Sequence, residues 1–218
     1  MMLQKLRSAM VRPHRGRLKG NLEVDEVWLG GVGPEGKEVR KNKRLILVCA
    51  EKNGTKIGRI RMKLIPGTGS LVLLPAIQEL VEPGSTIETD GWAGYRCITQ
   101  HGYKHEKRVT PESRTDQREQ NLLPKVHHVA SLFKRWVLGT YQGRIDTKYL
   151  SHYLDEFVFR FNRRTSNSRG LLFQRLLENA AQVSHNPIIL LLTQFNATDR
   201  SAGDKCICRP RGISHLKF

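Results

Sequence analysis

Two aspartates, Asp25 and Asp90, have the strongest claim to chemistry in this sequence. Asp25 interrupts the run Leu-Glu-Val-Asp-Glu-Val-Trp-Leu over residues 22–29, which is apolar enough for a central strand. An ionised carboxylate there is costly unless a metal or hydrogen bonds compensate it. Asp90 directly precedes Gly91 at the end of a short strand-like block, where side chains can face a shared cleft. Two such acids could converge if their strands are neighbours. A third group stands on the most regular helical pattern of the chain. At about 100° per residue, His127, Ser131 and Lys134 fall within roughly 60° of one another on the flank of an apolar stripe centred on Val126, while His128 and Arg135 turn away. Two aspartates and a third ligand around two divalent cations perform in-line phosphoryl transfer, the cations clamping attacking and leaving oxygens. Lys134, two helical turns beyond His127, could hold a phosphate as a point charge. Plainer readings stand beside these. Asp25 could be a satisfied structural acid or Glu26 the true partner, Asp90-Gly91 an ordinary turn, and His127 a surface or core-edge residue.

The elements that must position these groups follow from periodicity and turn signals. Strand-like blocks run over Leu22–Leu29, Arg44–Ala50 and Ile57–Ile65, closed by Gly30-Gly31, Asn53-Gly54 and Pro66-Gly67, which predicts an antiparallel meander. A helix is expected from Ser70 to Val81, then a strand over Thr86–Thr89. Residues 101–121 read as polar and irregular. Helices are expected over Val126–Leu138, Tyr149–Arg163 and residues 170–182. Residues 1–20 read as the tail of a helix followed by a basic linker, a segment whose beginning is missing. The expected organisation is a helix remnant and linker (1–20), a catalytic α/β domain with a mixed sheet flanked by helices (21–145), C-terminal helices (146–185) and a poorly ordered basic tail (186–218).

Composition narrows the partners. The chain has 218 residues and a net charge of +17, from 37 Lys and Arg against 20 Asp and Glu, which calls for a polyanion to screen it. The basic residues lie in blocks: six without an acid in residues 1–20, ten against two acids in 36–63, and five without an acid in 157–175. Several basic surfaces suit an extended duplex, and no basic amphipathic helix with a broad apolar face points to a membrane. The four cysteines, Cys49, Cys97, Cys206 and Cys208, make no CxxC pair and read as reduced cytosolic thiols. The longest apolar run, Ile188–Leu192, is far below the roughly 20 residues that span a bilayer, so the chain is expected to be soluble and cytoplasmic.

Four stretches of this sequence, LEVDEVWLGG, IETDGWAGY, VHHVASLFKRWVLGTYQG and YLDEFVFRFNRRTSNSRGLLF, resemble the insertion-sequence transposases that carry the ISXO2-like domain. The resemblance covers residues 1 to about 182 and implies a ribonuclease-H-like fold with an acidic triad. By it, Asp25 and Asp90 are the first two metal-binding acids and His127 takes the third position, where members often have Glu or Asn and one subgroup has His. Lys134 matches the basic residue seven positions after that ligand. The cofactor implied is a pair of Mg2+ or Mn2+ ions, with manganese the better fit because imidazole is neutral and softer than a carboxylate. The resemblance also implies DNA as partner, both element ends and target, and a homodimer assembled on it in a bacterial cytoplasm. Lys134, Arg135, Arg160, Arg163 and Arg164 are the candidate DNA contacts. Family members begin with a zinc ribbon and a helix-turn-helix that have no counterpart in these residues. The leading expectation is an enzyme that cuts element ends and joins them to target DNA. The alternatives are a non-catalytic, basic DNA-binding remnant and a stand-alone nuclease.

Overall fold

The computed structural model describes residues 2–11, 15–30, 43–108, 122–142 and 145–182. Within them β1 (Asn21–Leu29), β2 (Arg44–Asn53) and β3 (Lys56–Ile65) form the expected antiparallel meander, with Asp25 opposite Val48 and Val48 opposite Met62. Helix α1 (Met2–Ala9) precedes it, and α2 (Ser70–Leu80) carries the chain over to β4 (Thr86–Thr89), which lies parallel to β1. A further strand, β5 (Lys104–Lys107), runs parallel to β4. The sheet order is β3-β2-β1-β4-β5, a mixed sheet flanked by helices, in keeping with the α/β architecture expected from the resemblance.

β5 corrects the reading of residues 101–121 as irregular, at least over 104–107. Lys-His-Glu-Lys has no apolar alternation because an edge strand needs to bury neither face. Residues 109–121 and the tail expected over 186–218 lie outside the described residues. The three later helices form close to where the apolar rhythm puts them: α3 (Pro124–Tyr141), α4 (Leu150–Asn162) and α5 (Arg169–Gln182).

Strand alternation sorts the core into two faces. Leu22 and Val24 of β1 join Leu45, Leu47 and Cys49 of β2 beneath α2, whose Leu73, Ile77 and Leu80 close that side. Ile46, Val48, Ala50, Ile60 and Met62 meet Val126, Val129, Phe133 and Val137 of α3 and Leu154, Phe157 and Phe161 of α4 on the other. Phe133 packs edge-on to Phe157 at 5.1 Å between ring centres, so truncating either would cost about 3–5 kcal/mol. α4 is also tied to the rim of the sheet. Asn162 accepts from the Ile60 amide (2.7 Å) and donates to the Ile60 carbonyl (3.0 Å), and Arg164 donates to the Ile57 carbonyl. The odd-numbered positions of β1, including Glu23, Asp25 and Val27, therefore face α3 and α4.

Candidate active site

The parallel pairing of β1 with β4 matches Asn21 with Thr86, Leu22 with Ile87 and Glu23 with Glu88, an offset of 65 positions in each case. Asp25 and Asp90 have the same offset, so they stand level just beyond the last paired residues. Asp90 sits in a tight turn. Its Oδ1 accepts from the Trp92 amide (2.9 Å), Gly91 adopts a left-handed φ of 88°, and the Gly91 amide donates to Thr89 Oγ1 (3.1 Å). Thr89 Oγ1 in turn lies 2.9 Å from His105 Nε2 on β5. Gly94 completes the turn at close quarters, since a Cβ there would lie 2.3 Å from the Thr68 carbonyl oxygen. Turn and candidate ligand thus coincide in Asp90.

Asp25 is half-buried. Its Oδ1 accepts from the Glu26 amide (2.8 Å), and its Oδ2 lies 3.1 Å from His127 Nε2. Burial pushes its carboxyl above the usual range and the Asp90 charge adds to this, against the Glu26 amide bond and His127. Glu26 points to the opposite face, where the buried Tyr95 hydroxyl donates to it. Burial, reinforced by Asp25 and Asp90, raises Glu26 to about 7 despite that bond. The charge effects on Asp25 and Glu26 show three carboxylates crowded at one end of the sheet.

His127 reaches Asp25 because of a residue that the sequence reading passed over. Glu23, only 2% exposed, accepts from the amides of Lys125 (2.7 Å) and Val126 (3.1 Å) through one carboxylate oxygen. Pro124, at the first position of α3, has no amide to satisfy, so Glu23 covers the next two and complements the helix dipole. A strand residue two positions before Asp25, on the same face, therefore anchors the turn that bears His127. The alternation Glu23-x-Asp25 was the available signal. Glu88, opposite Glu23, is also buried. Burial would raise its carboxyl, but Lys52 and Arg108 (3.1 Å) bond to it and hold it low.

The other candidates are distributed differently. Lys134 and Arg135 are exposed on α3. Arg160 pairs with Glu156 (3.4 Å). Arg163 lies over the Phe159 ring at 3.9 Å, and Arg164 over Phe161 at 4.1 Å while bonding the Phe161 carbonyl (2.9 Å). Arg163 and Arg164 belong to the β3 rim and are not brought to Asp25, whose strand lies two positions across the sheet, about 10 Å. A groove lined by Thr55, Ile57, Lys125, His127, His128 and Ser131 opens beside His127. Among the described residues no three His, Cys, Asp or Glu side chains are already gathered closely enough to hold a metal ion. The donor chemistry of Asp25, Asp90 and His127 nevertheless fits a divalent cation, whose charge would offset the burial and, to a smaller extent, the Asp90 repulsion that lift Asp25. No helix among the described residues is long and apolar enough to cross a membrane.

The cryo-EM structure of a simian T-cell lymphotropic virus intasome in complex with PP2A regulatory subunit B56 gamma is similar at 14% identity and a TM-score of 0.44, covering 69% of this chain. The match takes in 51% of that chain, so this one spans about half its length. Comparison with curated proteins gives no match. The family model of the ISXO2-like transposase domain matches residues 17–162, which include Asp25, Asp90, His127 and every strand of the sheet. On that match over about two thirds of its length, the chain belongs to the ISXO2-like transposase domain family.

Proposed function

We propose that this chain is a DNA transposase that hydrolyses a phosphodiester at an element end and then joins the freed 3′-hydroxyl to target DNA. The observation that carries this reading is the shared register of Asp25 and Asp90 with His127 in contact with Asp25. In the first step water adds to the scissile phosphorus and the 3′ oxygen leaves as a hydroxyl. In the second that hydroxyl attacks a target phosphodiester, whose own 3′ oxygen departs. Asp25, Asp90 and His127 would hold two divalent cations, magnesium or manganese. Bound there, such ions neutralise charge on the attacking and leaving oxygens. Glu23 keeps His127 at the strand, and Lys134 holds a phosphate of the scissile strand farther along α3. Lys134, Arg135, Arg160, Arg163 and Arg164 supply contacts to the backbone of DNA, and two copies act on paired ends.

The test is nicking of supercoiled plasmid with magnesium, manganese or EDTA, comparing wild type with Asp25→Ala and Asp90→Ala. Expected are metal-dependent nicking, stronger with manganese, and a loss of at least about 100-fold in either variant with DNA affinity nearly unchanged. A second reading, a non-catalytic DNA-binding remnant, draws on the net charge of +17, which binds a polyanion without any metal. Metal-independent binding with no nicking by wild type in either metal would select it.

A further inference from the structure

A second concentration of charge lies at the rim of the sheet. Between residues 15–16, β3 and the end of α4 is a cavity of about 260 Å³, lined among others by Arg15, Arg59, Arg61, Asp155, Asn162 and Arg163. Four guanidiniums share it with a single carboxylate. Their commitments differ. Arg59 is gripped by Glu51, with contacts of 2.6 and 3.0 Å. Arg15 makes a long 3.4 Å contact with Asp155. Arg61, 8% exposed, donates to the carbonyls of Gly16 (3.0 Å) and Ile60 (3.2 Å) and makes no ion pair within hydrogen-bond distance among the described residues. Burial, with the charges of Arg15, Arg59 and Arg163, pulls its guanidinium down to about 10. With Glu51 drawn to Arg59 and Asp155 shared with Arg15, the carboxylates near this buried cation offset its surroundings only in part, and an anion entering the cavity would offset more.

We propose that this cavity is a second anion site, apart from Asp25 and Asp90, that takes a backbone phosphate of DNA between Arg15 and Arg61. Guanidinium forks match the paired oxygens of a phosphodiester. The rim is open, since the side chains of Arg15 and Arg59 are 30% and 43% exposed. Arg61 lies opposite Cys49, and Cys49 opposite Val24. Arg61 is therefore level with the residue before Asp25 and two strands away, about 10 Å along the sheet, with its side chain on the face of Cys49 and Val24 rather than that of Asp25. A duplex engaged at Asp25 would reach the site around the outer edge of β3, where Asp155 and Asn162 of α4 also line it. The choice of DNA as the polyanion rests on the transposase reading, whereas the excess charge does not. If Arg61 merely fastened residues 15–17 to β3, its loss would lower stability and leave the salt response of DNA binding untouched.

The experiment measures the affinity of the full chain for a short duplex of mixed sequence as a function of NaCl, for wild type, Arg15→Gln and Arg61→Met, with melting curves to establish folding. Arg15→Gln spares the Gly16 and Ile60 bonds and stays informative if Arg61→Met fails to fold. Expected is about tenfold weaker binding for each and a salt slope smaller by about one, with metal-dependent nicking kept at saturating DNA. Wild-type affinity and slope in folded Arg15→Gln would overturn the proposal. So would inorganic phosphate stabilising wild type but not Arg15→Gln while the DNA slopes coincide, since the site would then take a free anion. Failure of wild type to nick, with the slopes still reduced, would remove the enzymatic reading and leave this site standing. Metal-dependent nicking lost in Asp90→Ala, with unchanged slopes in the arginine variants, would do the reverse.

Discussion

Glu26 illustrates how a single side chain at this site couples charge to stability. Its carboxyl is raised from 4.5 to about 7, so between those values the folded chain keeps a proton that the unfolded chain has lost. Stability conferred by the protonated, buried acid is therefore full below about pH 4.5, declines as pH rises, and is gone above about 7. Glu26→Gln keeps an acceptor for Tyr95 and removes the charge. In EDTA, urea melts of the variant should match wild type near pH 4 and show about 1–3 kcal/mol more stability at pH 8. Equal melts at both values would mean that the Glu26 charge is already compensated. Glu26 was also a rival to Asp25 in the sequence, because adjacent acids in a strand cannot be ranked until the faces are known. The structure puts Asp25 with His127 and Glu26 with Tyr95.

At the scale of elements, α3 depends on a strand for its beginning. Its N-terminus has no side-chain cap of its own and no acid in the first turn, so the Glu23 carboxylate does both tasks. Glu23→Ala should cost about 1–3 kcal/mol in chemical denaturation and reduce nicking without abolishing it, because His127 loses its anchor rather than its side chain. An unchanged stability would show that the α3 amides find another acceptor. Much of this arrangement was legible in advance. The meander, α2 and the α3 stripe have strong apolar rhythm, the spacing of Asp25 and Asp90 equals a strand register, and the wheel of α3 separates His127 from His128. What was hidden depended on tertiary context. β5 is too short and polar to declare itself, Glu23 looks like any strand acid, and Arg163 and Arg164 reveal their stacking on Phe159 and Phe161 only once α4 is docked.

For the whole molecule, the net charge of +17 sets the response to polyanions. Heparin at about a hundredfold its Kd should raise Tm by about 5–10 °C at low salt, and the gain should shrink as NaCl is added. A salt-independent shift would point to binding other than by charge. Polar and basic residues also shape the borders of the sheet. On one side Asn162 and Arg164 occupy backbone groups of β3, and on the other Lys104 and Lys107 bracket the four residues of β5. Bonded backbone and lysine-flanked short strands are both barriers to edge-to-edge aggregation. Copies of this chain crowded on a polyanion such as heparin should consequently resist amyloid-like strand addition, and Asn162→Ala should be the change that exposes a template for it.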